Sequence, residues 1–276
     1  MGKFFDEIPQ WLADWIPEQH CFWVATAPLS QEGHVNVSPK GVQGTFHIED
    51  SRTVWYEDLT GSGVETISHL RENGRITIMF CAFDKPPRIA RLFGTGRVHE
   101  YGTPEYEKHI GQNRNPGSRA VIVIDVHKVG TSCGYAIPFY QFISHRSLLN
   151  STFARSEEVD AAEMKTLPPD EQPTRGIRSY WSTKNTKSID GMAGLATAPL
   201  TRCPLTNVGF VPEQLPAGWP TETVKVEAAR TGNITSNVSI KKLAQLSDLK
   251  SFASGVVFGV AAATGVFMLR TSLWRH

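Results

Sequence analysis

A lysine, two serines and a glycine-bearing turn are the residues of this chain best suited to hold an anion. Residues Val54 to Phe80, VWYEDLTGSGVETISHLRENGRITIMF, read as a strand, a turn, a short helix and a second strand. Within them Ser62-Gly63-Val64-Glu65 has the S-x-x-E spacing of a capping box, which predicts a helix over Ser62–Asn73 with Ser62 as its cap. Small residues ahead of the cap leave the helix start open, and its unpaired N–H groups and positive partial charge suit a phosphate. Ser38 and Lys40 share one face at the end of an earlier strand, His34–Lys40. Where that strand lies beside Thr53–Tyr56, an ammonium, a hydroxyl and the N–H groups near Gly61 and Ser62 converge on one phosphate pocket. The plainer alternatives are a capping box that only starts a helix and a lysine that is a solvated charge.

Other chemistry is weaker. Arg88 and Arg91 are three apart in a strand and so point to opposite faces, which lets at most one reach the same pocket. Cys133 has no cationic neighbour in sequence to lower its pKa, so a structural role is expected. The four cysteines are far apart with no C-x-x-C, and the nine histidines include no H-E-x-x-H, so no metal site is expected. Absence of G-x-S-x-G, Walker A and G-x-G-x-x-G removes the common hydrolase, NTPase and dinucleotide-fold readings. With a formal net charge of +1 and no basic run longer than Lys241-Lys242, nucleic acid is not an expected partner.

These residues must be positioned by short strands. Cys21–Ala27, His34–Val37, Thr53–Tyr56, Arg75–Ala82, Ile89–Val98 and Ala120–Val126 are β-like runs separated by Gly, Pro, Asp or Asn clusters. Their spacing argues for a mainly β protein, an antiparallel sandwich or barrel, and against a doubly wound parallel sheet. Helical spacing is read over Phe4–Trp15, and helices are also expected over Ser62–Asn73, Pro104–Ile110, Pro138–Leu149 and Glu157–Met164. Three regions are expected: residues 1–195 as the β domain with a helical extension, 196–249 as a Pro/Ser/Thr-rich linker, and 250–276 as a tail. The tail segment Ser251–Leu269, SFASGVVFGVAAATGVFML, is uncharged and apolar on all sides, long enough to cross a hydrocarbon core of roughly 30 Å as a single helix. A C-terminal membrane anchor is therefore expected. The N-terminus, MGKFFDEIPQW, lacks the apolar core of a secretory signal, which fits a reducing compartment.

The strings FWVATAPL, HVNVSPKG, LTGSGVETISHLRENGRITIMFCAFDKPPRIARLFGTGRV, TSCGYAIP and YWSTKNTKSIDGMAGL, in this order from Phe22 to Leu195, resemble the pyridoxamine 5'-phosphate oxidase-related, FMN-binding split-barrel family. The resemblance implies an antiparallel Greek-key split β-barrel that forms a homodimer with FMN at the subunit interface. By the resemblance, Lys40 and the turn and helix start at Thr60, Gly61, Ser62 and Thr66 would hold the FMN phosphate. Ser38 and Tyr56 would border the flavin, and Arg88 sits on a later strand that also approaches it. The helix start carries Gly63, Val64 and Glu65 where the vitamin B6 oxidase has further basic residues, and no matching substrate-binding segment follows. The resemblance therefore leaves the substrate open.

The expected function is that of an FMN-dependent oxidoreductase acting on a small molecule, with catalytic residues unassigned. A non-catalytic membrane-tethered flavin module and a haem-binding split barrel using His47, His69 or His99 are the alternatives. The expected location is cytosol-facing, at a mitochondrial outer or peroxisomal membrane.

Overall fold

The computed structural model describes residues 2–111 and 113–205. Its strands are β1 (Lys3–Phe5), β2 (Phe22–Thr26), β3 (Asn36–Lys40), β4 (Phe46–Ile48), β5 (Thr53–Leu59), β6 (Arg75–Cys81), β7 (Ile89–Glu100) and β8 (Ser118–Ser132). Five helices flank them: α1 (Gln10–Trp15), α2 (Glu65–Asn73), α3 (Pro104–Ile110), α4 (Leu148–Met164) and α5 (Gly176–Lys184). The strands form one antiparallel sheet in the order β3-β2-β6-β7-β8-β5-β4, with β1 added to β8. The result is a mainly antiparallel half-barrel with flanking helices, in agreement with the β reading of the sequence.

Period-two alternation sends Phe22 and Val24 of β2, Val54 and Tyr56 of β5, and Ile76, Ile78 and Phe80 of β6 into one core with Leu92, Ile122 and Ile124. α2 lays Ile67 and Leu70 against that core. It can do so because Gly96 of β7 has no side chain: a Cβ there would lie 2.9 Å from Leu70 Cδ2. The helix stops at Gly74, whose φ of +71° is the left-handed conformation that ends helices cheaply only in glycine.

Several expected elements differ. The helical reading of Phe4–Trp15 splits, because Lys3–Phe5 pair with Val129–Thr131 as a strand and Pro9 caps a shorter helix. Pro138–Leu149 is not a helix: residues up to Ser147 have no regular structure, and the Tyr140 N–H bonds the Phe83 carbonyl at 3.0 Å instead of a helical partner. The helix begins only at Leu148 and runs through the expected Glu157–Met164. The first residues of the expected linker are held against the sheet. Buried Glu100 accepts the backbone N–H groups of Ala196, Thr197 and Ala198, the last two at 2.7 and 2.8 Å, and Tyr101 Oη donates to the Pro204 carbonyl at 2.7 Å. The rest of the linker and the apolar segment Ser251–Leu269 lie outside the described residues. Among the described residues, no helix is long and apolar enough to cross a membrane.

Candidate functional site

Three strands converge on one charged cluster. On β3 the alternation turns Asn36, Ser38 and Lys40 to one half-buried face and leaves Val37 and Pro39 exposed. On β5 the same alternation continues inward past Val54 and Tyr56 to Asp58, which has no exposure. The first residues of β8 bring Arg119 alongside, since Asp58 pairs with Ala120. Each Asp58 oxygen receives one cation: Lys40 Nζ donates to Oδ1 at 2.8 Å and Arg119 Nε to Oδ2 at 2.8 Å. Burial pushes the Asp58 carboxyl up, but the two cations outweigh it and hold the group at about 2. Asp58 is therefore ionised at any ordinary pH, and it cancels one of the two positive charges.

The other cation has an unused donor. Arg119 is buried, yet its Nη1 has no hydrogen-bond partner among the described residues. Ser38, Lys40, Gly61, Thr66 and Arg119 line a cleft of about 320 Å³. The cleft lies at the start of α2, where the first N–H groups lack intrahelical partners. An orphaned buried guanidinium N–H, a partly exposed ammonium and a helix N-terminus make an anion-binding arrangement.

Ser38 is oriented from behind. Its Oγ donates to Asn36 Oδ1 at 3.0 Å, and Asn36 Nδ2 donates to Thr66 Oγ1 at 3.0 Å. The same amide lies 3.4 Å from Thr26 Oγ1, which is paired with Nδ1 of buried His69 at 2.9 Å. With its proton given to Asn36, the Ser38 hydroxyl is left with acceptor lone pairs. Burial lowers the His69 pKa and keeps the ring neutral.

Not every expected residue joins the cleft in the expected way. Thr60 is fully buried: its hydroxyl donates to the Gly117 carbonyl and accepts from Trp181 Nε1 at 2.8 Å, so it has no donor to offer a phosphate. Gly61 lines the cleft while its carbonyl accepts Asn185 Nδ2 at 2.9 Å. Ser62 is exposed and caps nothing. The cap of α2 is Val64, with no side-chain cap bond. The expected capping box fails because Val64 is drawn into the core and Glu65 folds back against Gly63, where its Oε1 accepts the Ile189 N–H at 3.3 Å. Tyr56 is a core ring under the Lys40 ammonium, 5.8 Å from its centroid, and does not line the cleft. Arg88 also lies outside it, over Trp11 at 4.7 Å and Trp15 at 5.2 Å.

The histidines considered for haem are dispersed. His47 stacks on Trp55 at 3.8 Å, His99 neighbours His109, and His69 is bound to Thr26; none lines the cleft. Among the described residues no group of three acidic, histidine or cysteine side chains is arranged to hold a metal ion. A larger groove of about 980 Å³ meets the cleft at Lys40, Gly41, Val42 and Thr45. Its walls mix aromatic rings such as Phe22, Phe46 and Phe142 with polar and charged groups such as Asp14, Glu18 and Asp50.

Sequence reasoning missed Asp58 and Arg119. Asp58 was findable, because Val54, Tyr56 and Asp58 form one inward period-two series. Arg119 was not, since it opens a strand next to Ser118 with no periodic cue.

A family model described as pyridoxamine 5'-phosphate oxidase matches residues 8–133. A pyridoxamine 5'-phosphate oxidase family protein of Aspergillus flavus, ustO, is 39% identical over 204 residues, 72% of this chain and 80% of that protein. Among solved structures, HupZ from Group A Streptococcus is 29% identical, with a TM-score of 0.36 over 44% of this chain and 91% of that chain. A Clostridium acetobutylicum protein related to general stress protein 26, of the pyridoxinephosphate oxidase family, is 13% identical, with a TM-score of 0.32 over 44% and 84% of the two chains. Superpositions this loose leave the assignment to the sequence relative.

Proposed function

This chain belongs to the pyridoxamine 5'-phosphate oxidase family, and from that premise we propose that it binds FMN and acts as a flavin-dependent oxidoreductase on a small molecule. The observation that carries the reading is the unpartnered Nη1 of buried Arg119, set in the cleft with Lys40 at the start of α2. Arg119, Lys40 and the backbone N–H groups at Glu65 and Thr66 would hold the phosphate, with Ser38 beside it as an acceptor for a donor on the rest of the ligand. Bound FMN would supply the electron transfer, while the protein supplies binding, orientation and electrostatics. The groove beyond Lys40 gives a substrate its room. No side chain of the cleft is assigned as a catalytic acid or base.

The test is an FMN titration of the purified full chain, followed by flavin fluorescence. Wild type should bind FMN, and Lys40→Met should bind at least about tenfold more weakly, a loss of about 1.4 kcal/mol. Equal affinity of the two proteins would remove Lys40 from the site, and failure of wild type to bind would end the reading. Bleaching of the bound flavin by a reduced nicotinamide separates an oxidoreductase from a flavin-binding module without turnover.

The proposal extends to a homodimer, and exposed Tyr135 and Phe139, 83% and 82% accessible, offer apolar surface for such contact. Attachment to a mitochondrial outer or peroxisomal membrane rests on the sequence of Ser251–Leu269 alone. Truncation before Ser251 should then release the protein from membranes.

A further inference from the structure

Two cysteines flank one end of the β2–β6 pairing: Cys21 immediately precedes β2 and Cys81 is the last residue of β6. Phe22 pairs with Phe80, so the next pair outward in this antiparallel register is Cys21 with Cys81. Directly opposed residues have Cα atoms about 4.5–5.5 Å apart and side chains on one face, within the span of about 4.4–6.8 Å that a disulfide bridges. Both cysteines are free, Cys21 half-buried and Cys81 buried. Phe22 and Phe80 point into the core, which puts the two thiols on the opposite face of the sheet. There they line a pocket of about 470 Å³ together with Phe83, Tyr140 and Phe142. The Tyr140 ring stacks on Phe83 at 5.1 Å and keeps the run after β8 over this face. The Cys21 thiol donates to the Phe22 carbonyl at 3.8 Å, and Phe22 pairs across β2 and β3 with Lys40.

We propose that Cys21 and Cys81 are a redox-active dithiol, oxidised to an intramolecular disulfide by a low-molecular-weight disulfide of the glutathione type that enters this pocket. The more exposed Cys21 loses its proton, and its sulfur attacks one sulfur of the small disulfide. That S–S bond breaks, and one small thiolate leaves and takes up a proton. Cys81 then loses its proton and attacks the Cys21 sulfur of the mixed disulfide, expelling the second small thiol. Two cysteine thiols give up two electrons and two protons, and one small disulfide becomes two thiols. Because β2 and β6 are already hydrogen-bonded neighbours, the new bond leaves the strand pairing of the native sheet in place. Its consequence falls on the Lys40 backbone, since a Cys21 sulfur turned toward Cys81 shifts the chain beside Phe22, the strand partner of Lys40 at the edge of the anion cleft. Burial raises the pKa of both thiols, so the exchange is slow at neutral pH and quickens as pH rises.

The full chain is equilibrated in glutathione buffers of graded oxidised-to-reduced ratio, quenched with acid, capped with N-ethylmaleimide and mapped by mass spectrometry. The expected result is a linked Cys21–Cys81 peptide with loss of two cappable thiols together. Cys21→Ser abolishes the link, and Cys133→Ser, at an exposed position, leaves it intact. The proposal is overturned if both thiols stay cappable at the most oxidising ratio. It is equally overturned by a link through Cys133 or Cys203, or by a glutathione adduct that never resolves to the crosslink. The Lys40 amide NMR signal should move on oxidation in wild type and stay in place in Cys81→Ala; an unmoved signal in crosslinked wild type would refute the coupling to the cleft.

Discussion

Asp58→Asn changes one atom type at the point where two cations meet, and its effect on stability should depend on pH. In wild type the carboxylate is fully buried, with Lys40 Nζ and Arg119 Nε on separate oxygens. Asparagine keeps the shape and removes the charge, leaving Arg119 buried without compensation. Breaking a buried pair from one side costs about 3–5 kcal/mol, and the partial exposure of Lys40 places this site toward the low end, about 3 kcal/mol at pH 7. The carboxyl sits at about 2 in the folded protein against 3.8 ordinarily. A pKa depressed by folding contributes stability that is complete above the unfolded value and is lost as pH falls through the folded one. The shift corresponds to about 2 kcal/mol, lost between about pH 5 and below about pH 2. The wild-type advantage over Asp58→Asn should therefore shrink by about 2 kcal/mol across that window. Urea unfolding followed by tryptophan fluorescence at several pH values gives both curves. Parallel curves from about pH 5 to below about pH 2 would show that Asp58 is not held ionised by its partners. Equal stability at pH 7 would show that Arg119 does not depend on it.

Two further substitutions separate structure from binding. Thr60→Val should cost about 1–3 kcal/mol in urea unfolding, because it strands the buried Trp181 Nε1–H, while FMN affinity stays unchanged; the Gly117 carbonyl keeps the Thr60 backbone N–H at 2.7 Å. A loss of FMN affinity without loss of stability would instead put the Thr60 hydroxyl in the site. Gly96→Ala drives a Cβ to 2.9 Å from Leu70 Cδ2 and should destabilise by about 1–3 kcal/mol through overpacking under α2, read as a lowered urea midpoint. An unchanged midpoint would mean that Leu70 moves aside freely.

The antiparallel β character and most strands were legible because their alternation is local. α3 spans the expected Pro104–Ile110, and its start is capped by Thr103, which accepts the Tyr106 N–H at 3.3 Å. Failures came where a distant partner overrode a local pattern. Phe4 and Phe5 have helical company in sequence but are captured by Val129–Thr131 as a strand. Pro138–Leu149 has helical spacing, yet its aromatic residues lie against His20 and Phe83 in an extended run. The Ser62 capping box satisfied every local rule and still did not form, because burial of Val64 sets where the helix starts. Glu100 shows the same effect at the expected domain boundary, where a buried carboxylate gathers three consecutive N–H groups that composition alone assigned to a linker.

The sequence offers Lys40 as an ammonium for a phosphate pocket, and the structure gives it Asp58 as a partner. That partner alters what the cleft selects. Asp58 neutralises one of two cations, so an entering anion meets about one net positive charge from the pair and the partial charge of the α2 N-terminus. Glu65 subtracts further, since its carboxylate folds over Gly63 beside that N-terminus. Such a balance suits a single phosphate monoester attached to a larger body that fills the groove, because the body supplies burial that the charge does not. It disfavours pyrophosphate and nucleoside triphosphates, whose added charge would face Asp58 and Glu65 without new cations. FMN should accordingly outcompete inorganic pyrophosphate by a wide margin, and Glu65→Gln should narrow that margin by strengthening pyrophosphate more than FMN. Competition titrations with both ligands on both proteins read this directly, and a margin unmoved by Glu65→Gln would show that the helix start does not set the charge preference.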